Sequence, residues 1–357
     1  MSLWVSINGS SAWPEIGNFN LAGGCEISAM KKILIIKTSS LGDVVHNFPV
    51  ISDIRQNYPN ASIDWLVEEA YLPLVGLHPG VRHGIPVALR RWRGRVLKKD
   101  TWTEIGAFRR LFKNEHYDAI IDTQGLLKSA LLASVANGRR HGFDAASARE
   151  RIAARFYDVR HHVARDQNAV VRNRELAASA LGYRIGESIN YGIKNDGIKN
   201  YGINDSDPAE RQKAGREIVL LHSTSRADKY WAEAHWIALG QLIEAAGAQV
   251  LLPWGNAVER LRSERIANRL QRAAIPDALS IQALASLLTR CNGVAGLDTG
   301  LTHLAAALDT PVVAIYCATD PGLTGVYGAS RAVNLGGIDR APRVAQVFEA
   351  LLSCGAM

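Results

Sequence analysis

The sequence predicts an α/β protein built as two doubly wound halves, each a parallel sheet covered by helices. Three observations carry this. Short β-branched runs alternate with amphipathic helical patterns along both halves. A polar, turn-rich stretch lies between them. The chain has 357 residues, 47% of them hydrophobic and 21% charged, which suffices for two cores and excludes a disordered, fibrous or disulfide-scaffold protein. Apolar runs break at charges or prolines well short of the ~18–20 residues of a membrane-spanning helix, so any membrane contact is predicted to be peripheral. Cys25, Cys291, Cys317 and Cys354 share no metal-ligand spacing, which predicts reduced thiols in a cytoplasmic protein and no structural zinc.

Residues 1–29 mix Gly, Ser and Asn with isolated tryptophans, have no secretory pattern, and are expected to form a disordered extension before the fold begins at Met30. Lys32-Ile-Leu-Ile-Ile-Lys37 reads as a strand buried on both faces. After Asp43, Val44, Val45, Phe48, Ile51 and Ile54 recur at helical spacing, with Pro49 disturbing the first turns. Strands follow at 62–67, 85–89 and 117–122, and helices at 101–114 and 126–136, completing an N-terminal half over 30–183. Residues 184–212 repeat Asn-Tyr-Gly-Ile and read as an expanded linker, whose length costs little closure entropy. The C-terminal half, 213–357, alternates strands at 217–222, 249–253, 293–297 and 312–316 with helices at 232–246, 256–271, 281–290 and 300–308. Two such halves predict a cleft, with ligands beyond the carboxyl ends of the strands.

Charge is unevenly spread. Residues 82–115 carry ten Lys or Arg against three acids, an excess of +7 that equals the net charge of the whole chain. Residues 139–174 add nine arginines against four acids. A field concentrated in the N-terminal half suits a polyanion: a nucleic acid, an acidic membrane surface or a phosphorylated glycan. A solvated helix face accounts for any one of these arginines equally well.

Three strand-end loops can carry chemistry. Lys37-Thr-Ser-Ser40-Leu-Gly-Asp43 holds one glycine and so matches neither a Walker A loop nor a GxGxxG turn. Asp43 there reads either as a helix cap or as a general base. His222-Ser-Thr224-Ser225-Arg226-Ala-Asp-Lys229 combines hydroxyls with cations, as a diphosphate requires. Asp298-Thr299-Gly300-Leu301-Thr302-His303 opens an apolar helix, whose first backbone N–H groups would bind an anion while Asp298 accepts sugar hydroxyls. Together they suggest a sugar nucleotide. His303 reads as a packing or capping residue or as a catalyst. Trp254 and Glu259 supply an aromatic wall and a ribose acceptor, and Trp254 reads equally as interdomain core. Asp205-Ser-Asp207 has the Asp-X-Asp form of metal-dependent transferases but sits in the linker and reads as a turn.

In this order, Lys37–His46, Trp65-Leu-Val-Glu-Glu69, Arg90-Arg-Trp-Arg93, Asp122-Thr-Gln-Gly-Leu-Leu-Lys128, Leu252-Pro-Trp-Gly255 and Asp298–His303 resemble the lipopolysaccharide heptosyltransferase I family, within glycosyltransferase family 9. The resemblance runs from about Met30 to the C-terminus without the 184–212 insert. It favours this family over heptosyltransferase II, which generally has a Gly-Pro-Ser type of first loop. It implies the GT-B architecture and an inverting, metal-independent transfer of L-glycero-D-manno-heptose from ADP-heptose to the inner Kdo of Kdo2-lipid A, by a peripheral protein on the cytoplasmic face of a Gram-negative inner membrane. It also implies Asp43 as catalytic base. Thr224, Ser225, Lys229, Glu259, Asp298, Thr299, Gly300, Leu301 and His303 fall at donor positions, Ser225 standing where threonine is common. Ser40, Arg90, Arg91, Arg93, Lys128 and Arg149 fall on the acceptor surface. The rival readings are a transferase of the same fold with another acceptor and a non-catalytic module for anionic lipid. Nucleic-acid binding is disfavoured for want of any recognised motif.

Overall fold

The computed structural model describes residues 5–6, 32–193 and 215–357. Most of the sequence-predicted extension and linker, with Cys25 and Asp205-Ser-Asp207, lies outside the described residues. The chain forms two compact units. One comprises the described residues up to Thr38, Val50–Val163 and Glu175–Ile185; the other comprises Ser39–Pro49, Ala164–Arg174 and the described residues from Gly186 onward.

The first unit holds a sheet of β1 (Val5–Ser6), β2 (Lys32–Ile36), β3 (Ser62–Glu68), β4 (His83–Val87), β5 (His116–Asp122), β6 (Asn137–Phe143) and β7 (Val159–His161). Their order is β1-β4-β3-β2-β5-β6-β7, parallel except for β1, which pairs antiparallel with β4. β2 is central, with Ile35 opposite Trp65 on one side and Ile121 on the other. Because β2 is covered on both faces, its side chains after Lys32 are apolar rather than alternating: Ile33, Leu34, Ile35 and Ile36 are wholly buried. The helical pattern after Asp43 becomes two helices, α1 (Leu41–Val45) and α2 (Phe48–Asn57), because Pro49 is tolerated only in a first turn. Next come α3 (Leu72–Val75), α4 (Leu89–Arg93), α5 (Lys99–Leu111), α6 (Leu127–Ala133) and α7 (Ala169–Leu181). The strand expected at 85–89 begins and ends earlier, and Leu89 opens α4 instead.

In the second unit β8 (Glu217–Leu221), β9 (Gln249–Leu251), β10 (Ala273–Ala274), β11 (Gly293–Leu297), β12 (Val312–Tyr316) and β13 (Ala332–Gly336) form a parallel sheet in the order β10-β9-β8-β11-β12-β13. Helices α8 (Glu233–Ala245), α9 (Ala257–Ala267), α10 (Ile281–Arg290), α11 (Gly300–Ala307), α12 (Pro321–Thr324) and α13 (Val344–Ser353) complete it. Trp231 and Trp236 meet edge to face within this core, 5.0 Å between ring centroids, with Ile218, Leu220, Leu297 and Leu351.

In both sheets the chain order reverses beside the first parallel strand, between β2 and β5 and between β8 and β11. Doubly wound sheets bind ligands at such switch points, and the loops after these four strands are the ones that carry the motifs read from the sequence. Cys291, Cys317 and Cys354 are free thiols. Among the described residues no helix is long and apolar enough to cross a membrane.

Two fully buried histidines lock this fold in neutral form. Gly80 N donates to His78 Nδ1 (3.0 Å), leaving the proton on Nε2 against Ser52 Oγ (3.1 Å). His222 bridges the hydroxyls of Ser223 and Ser263. Burial, aided by Arg55, pulls His78 down to about 3, and burial, aided by Arg262, pulls His222 down to about 4. Between those values and the unfolded value of 6.5 the unfolded chain binds more protons, so stability rises with pH through that window and is fully present above it. Thermal unfolding at pH 7 and pH 4 should therefore show a loss at acid pH on the order of 2–3 kcal/mol per histidine, and His222→Gln should flatten the dependence.

Candidate active site

The second unit gathers most of the sequence-predicted site. α11 starts directly beyond β11, and its first N–H groups, those of Gly300 and Leu301, have no carbonyl acceptor within the helix. Thr299 is the extended N-cap residue, and its hydroxyl lies 3.3 Å from that of Thr302, which donates to Leu297 O at 2.6 Å. The helix therefore leaves the strand end at a fixed angle.

Asp298, just ahead of the N-cap residue Thr299, is buried in a network. Lys229 Nζ and Thr319 Oγ1 each donate to its Oδ2 at 2.6 Å, and His303 Nε2 lies 3.4 Å from its Oδ1. Burial alone pushes this carboxyl upward, but the bonds from His303, Lys229 and Thr319 overcome it and hold Asp298 well below the usual carboxylate range. Asp298 is thus an anion, and Lys229, with its side chain only 15% exposed, is its counter-charge.

The helix carrying Asp43 packs against this loop. A Cβ added at Gly300 would stand 2.4 Å from Leu41 Cδ2 and 2.6 Å from Gly42 N, so the two helix starts touch through backbone. His46 on α1 meets His303 edge-on, with ring centroids 4.4 Å apart. Asp43 is half-buried at the third position of α1, where Oδ2 accepts from Ser40 N (2.9 Å) and Ser40 Oγ (3.3 Å). The capping role read from the sequence is present, and the same bonds fix the carboxylate's direction.

Other predicted donor residues are arranged differently. Thr224 is half-buried and Ser225 exposed, on the loop after β8. Arg226 turns away to pair with Asp228. Asn256 caps α9, its Oδ1 accepting from Glu259 N (3.0 Å), and the Glu259 carboxylate in the first turn accepts from Gly255 N (2.8 Å) and Asn256 Nδ2 (2.8 Å). Trp254 donates to Pro276 O and carries Arg260 over its ring.

In the first unit, Lys37 is buried and donates to Thr123 O (2.8 Å), a structural use. Asp122 organises the loop after β5: its Oδ1 accepts from Gln124 N (2.8 Å) and its Oδ2 from Tyr157 OH (2.7 Å). Lys128, in the first turn of α6, and Arg149, on the loop after β6, are exposed, and Glu150 N donates to Gly125 O between these two segments. Arg90 donates to Tyr71 OH (3.1 Å). Arg91 is clamped between Glu69 and Glu104, and these bonds push its pKa above the usual guanidinium value. Arg93 is exposed and makes no ion pair among the described residues.

Residues 105–349 match glycosyltransferase family 9 (heptosyltransferase). Lipopolysaccharide heptosyltransferase 1 of Escherichia coli K12 is 41% identical over 314 residues, covering 87% of this chain and 94% of its own. The chain belongs to glycosyltransferase family 9. Two solved structures are similar at 37% identity over 90% of this chain: E. coli heptosyltransferase WaaC with ADP (TM-score 0.82, 99% of that chain covered) and the same protein with ADP-2-deoxy-2-fluoro heptose (0.78, 98% covered). The sequence-predicted glycosyltransferase class and GT-B fold class are borne out.

For a family 9 protein, sequence reasoning passed over Thr319 and His46. Thr319 follows β12, so the strand-end rule that found the other loops also points to it; His46 closes a motif whose function was read only at Ser40 and Asp43. Among the described residues no group of three or more His, Cys, Asp or Glu is placed to hold a metal ion. Because the contact between α1 and α11 has no room for a methyl group, Gly300→Ala should destabilise the protein by about 1–3 kcal/mol, read as a lower urea midpoint with unchanged slope.

Proposed function

We propose that this chain transfers L-glycero-D-manno-heptose from ADP-heptose to the inner Kdo of Kdo2-lipid A, with inversion, at the cytoplasmic face of a Gram-negative inner membrane. The observation that carries the reading is the buried Lys229–Asp298–His303 network at the start of α11, packed against the helix that bears Asp43. The relatives' names supply the substrate class. The C-terminal half, 213–357, is assigned to the donor and the N-terminal half, 30–183, to the acceptor.

In this reading Thr224, Ser225 and Lys229 meet the diphosphate together with the first N–H groups of α11 at Thr299, Gly300 and Leu301, stabilising charge that grows on the departing ADP. Asp298 and His303 orient Lys229 and accept sugar hydroxyls, and Glu259, in the first turn of α9, accepts from the ribose hydroxyls. A Kdo hydroxyl oxygen attacks the anomeric carbon as the bond from that carbon to the β-phosphate oxygen breaks; the hydroxyl proton passes to Asp43, whose orientation Ser40 sets. Arg93 is the first candidate for the acceptor's phosphates and carboxylates, with Arg90, Lys128 and Arg149. Arg91, already matched by two carboxylates, shapes the surface more than it binds.

The direct test incubates the protein with ADP-heptose and deacylated Kdo2-lipid A and measures released ADP and product mass. One heptose added per acceptor is expected. Transfer only to an acceptor that already bears heptose would overturn the choice of acceptor, and no ADP release would overturn the reaction. Asp43→Asn should lower turnover by about 10²–10⁴-fold while calorimetry shows ADP binding retained. Thr319→Val removes one of the bonds that hold Asp298 in place for Lys229, and should weaken ADP binding by about 3–10-fold with Thr319→Ser restoring it.

A further inference from the structure

We propose that the loop after α4, together with the exposed face of α5, is a docking face for an anionic lipid bilayer. Residues 93–100 are exposed without interruption, yet the loop is tightly built. Arg95 N donates to Trp92 O and Lys98 N to Arg95 O, each at 3.0 Å. From the first turn of α5, Thr101 Oγ1 donates to Arg95 O and Trp102 Nε1 to Val96 O, each at 2.8 Å. This stapling turns the loop's apolar side chains outward: Leu97 is 96% exposed, Trp102 62% and Val96 52%. The opposite face of α5 behaves as an ordinary core face, with Phe108 and Phe112 just beyond it buried. Isolated surface leucines are common, but three apolar side chains held out together by a fixed loop are not accounted for by packing.

Charge identifies the occupant. Arg93, Arg95, Lys98 and Lys99 flank the apolar tip in sequence, and Arg109 and Arg110 stand on the α5 face that Trp102 shares at helical spacing. Of the two nearby acids, Glu104 is taken up by Arg91 and Trp92, and the exposed Asp100 stands next to Lys98 and Lys99 and leaves the collar clearly cationic. An apolar tip within a cationic collar is the pattern of a surface that inserts at the headgroup boundary and draws on anionic lipid. A second copy of this chain would bring collar against collar, and a nucleic acid would offer Leu97 and Val96 nothing to stack on. The inference rests on the proposed function only in that a lipid-borne acceptor explains why such a face is useful.

The test is co-sedimentation of the whole protein with vesicles of phosphatidylglycerol and phosphatidylcholine, without sugar substrates. Wild-type protein should pellet with the anionic vesicles, less so at high salt, and far less with pure phosphatidylcholine. Leu97→Glu, at a site too exposed to disturb folding, should weaken partition about tenfold or more, and Lys98→Ala with Lys99→Ala should weaken it several-fold and flatten its salt dependence. Leu97→Glu should leave turnover on the deacylated, water-soluble acceptor unchanged. Equal pelleting of Leu97→Glu and wild type, or no preference for anionic vesicles, would overturn the docking face. So would self-association in sedimentation velocity that Leu97→Glu abolishes, since the occupant would then be a second copy. If wild type pellets as expected but is inactive on the soluble acceptor, the docking face stands and the proposed reaction falls.

Discussion

The close approach of Gly42 to Gly300 is the constraint on which the rest of the candidate site depends. A methyl group at either position would meet the other helix, at ordinary contact distance from Gly42 and at less than van der Waals distance from Gly300. Backbone contact at this point sets two helix starts side by side, and with them the N-terminal ends of two rows of peptide dipoles. It also brings His46 against His303, so the segment bearing Asp43 and the loop bearing Asp298 pack as one body. The acid on the loop after β2 is therefore positioned by the second unit's packing, although it follows the central strand of the first unit's sheet.

Electrostatics in the first unit follow a different rule. The sequence gives a sum of charges, whereas a ligand meets only those that the fold has not already paired. Arg82 is matched by Asp64, Arg140 by Asp158 and Arg91 by two glutamates. Asp64 and Glu69 lie outside residues 82–115, so this pairing trims the excess counted there, and what remains is concentrated on fewer side chains, among them Arg93, Lys98 and Lys99. The buried Asp122, bonded to Gln124 N and Tyr157 OH, serves instead to fix a loop.

Much of the fold was legible because buried parallel strands are continuous apolar runs, and the runs at 32–37, 217–222, 293–297 and 312–316 have few other ways to be buried. Once strands were known, the strand-end rule located the loops around Asp43, Lys229 and Asp298. β6 was missed because Asn137-Gly-Arg-Arg-His-Gly-Phe143 has little strand character of its own; pairing with β5 and β7 makes it a strand. The break between α1 and α2 was half legible, since Pro49 marks a disturbance but not whether a helix bends or restarts. Lys229 and His303 were legible as site residues but not as partners of Asp298, and the bond from Thr319 could not be read because it depends on β12 lying beside β11.

That third partner bears on how an ion pair can serve a reaction. Lys229 at rest is bonded to a buried carboxylate, and in the proposed transfer its charge is needed by a diphosphate. Removing the only counter-charge from a buried anion is costly, because the anion then has neither water nor a donor. Asp298 is not left in that state: Thr319 donates to the same oxygen that Lys229 holds, and His303 lies at the other. With those two contacts retained, Lys229 can share or shift its bonds toward an incoming anion while the carboxylate keeps its place. In the proposed transfer the hydroxyl of Thr319 would thus leave the cation of the ion pair available to the diphosphate, without adding a charge that would repel the donor or neutralise the site.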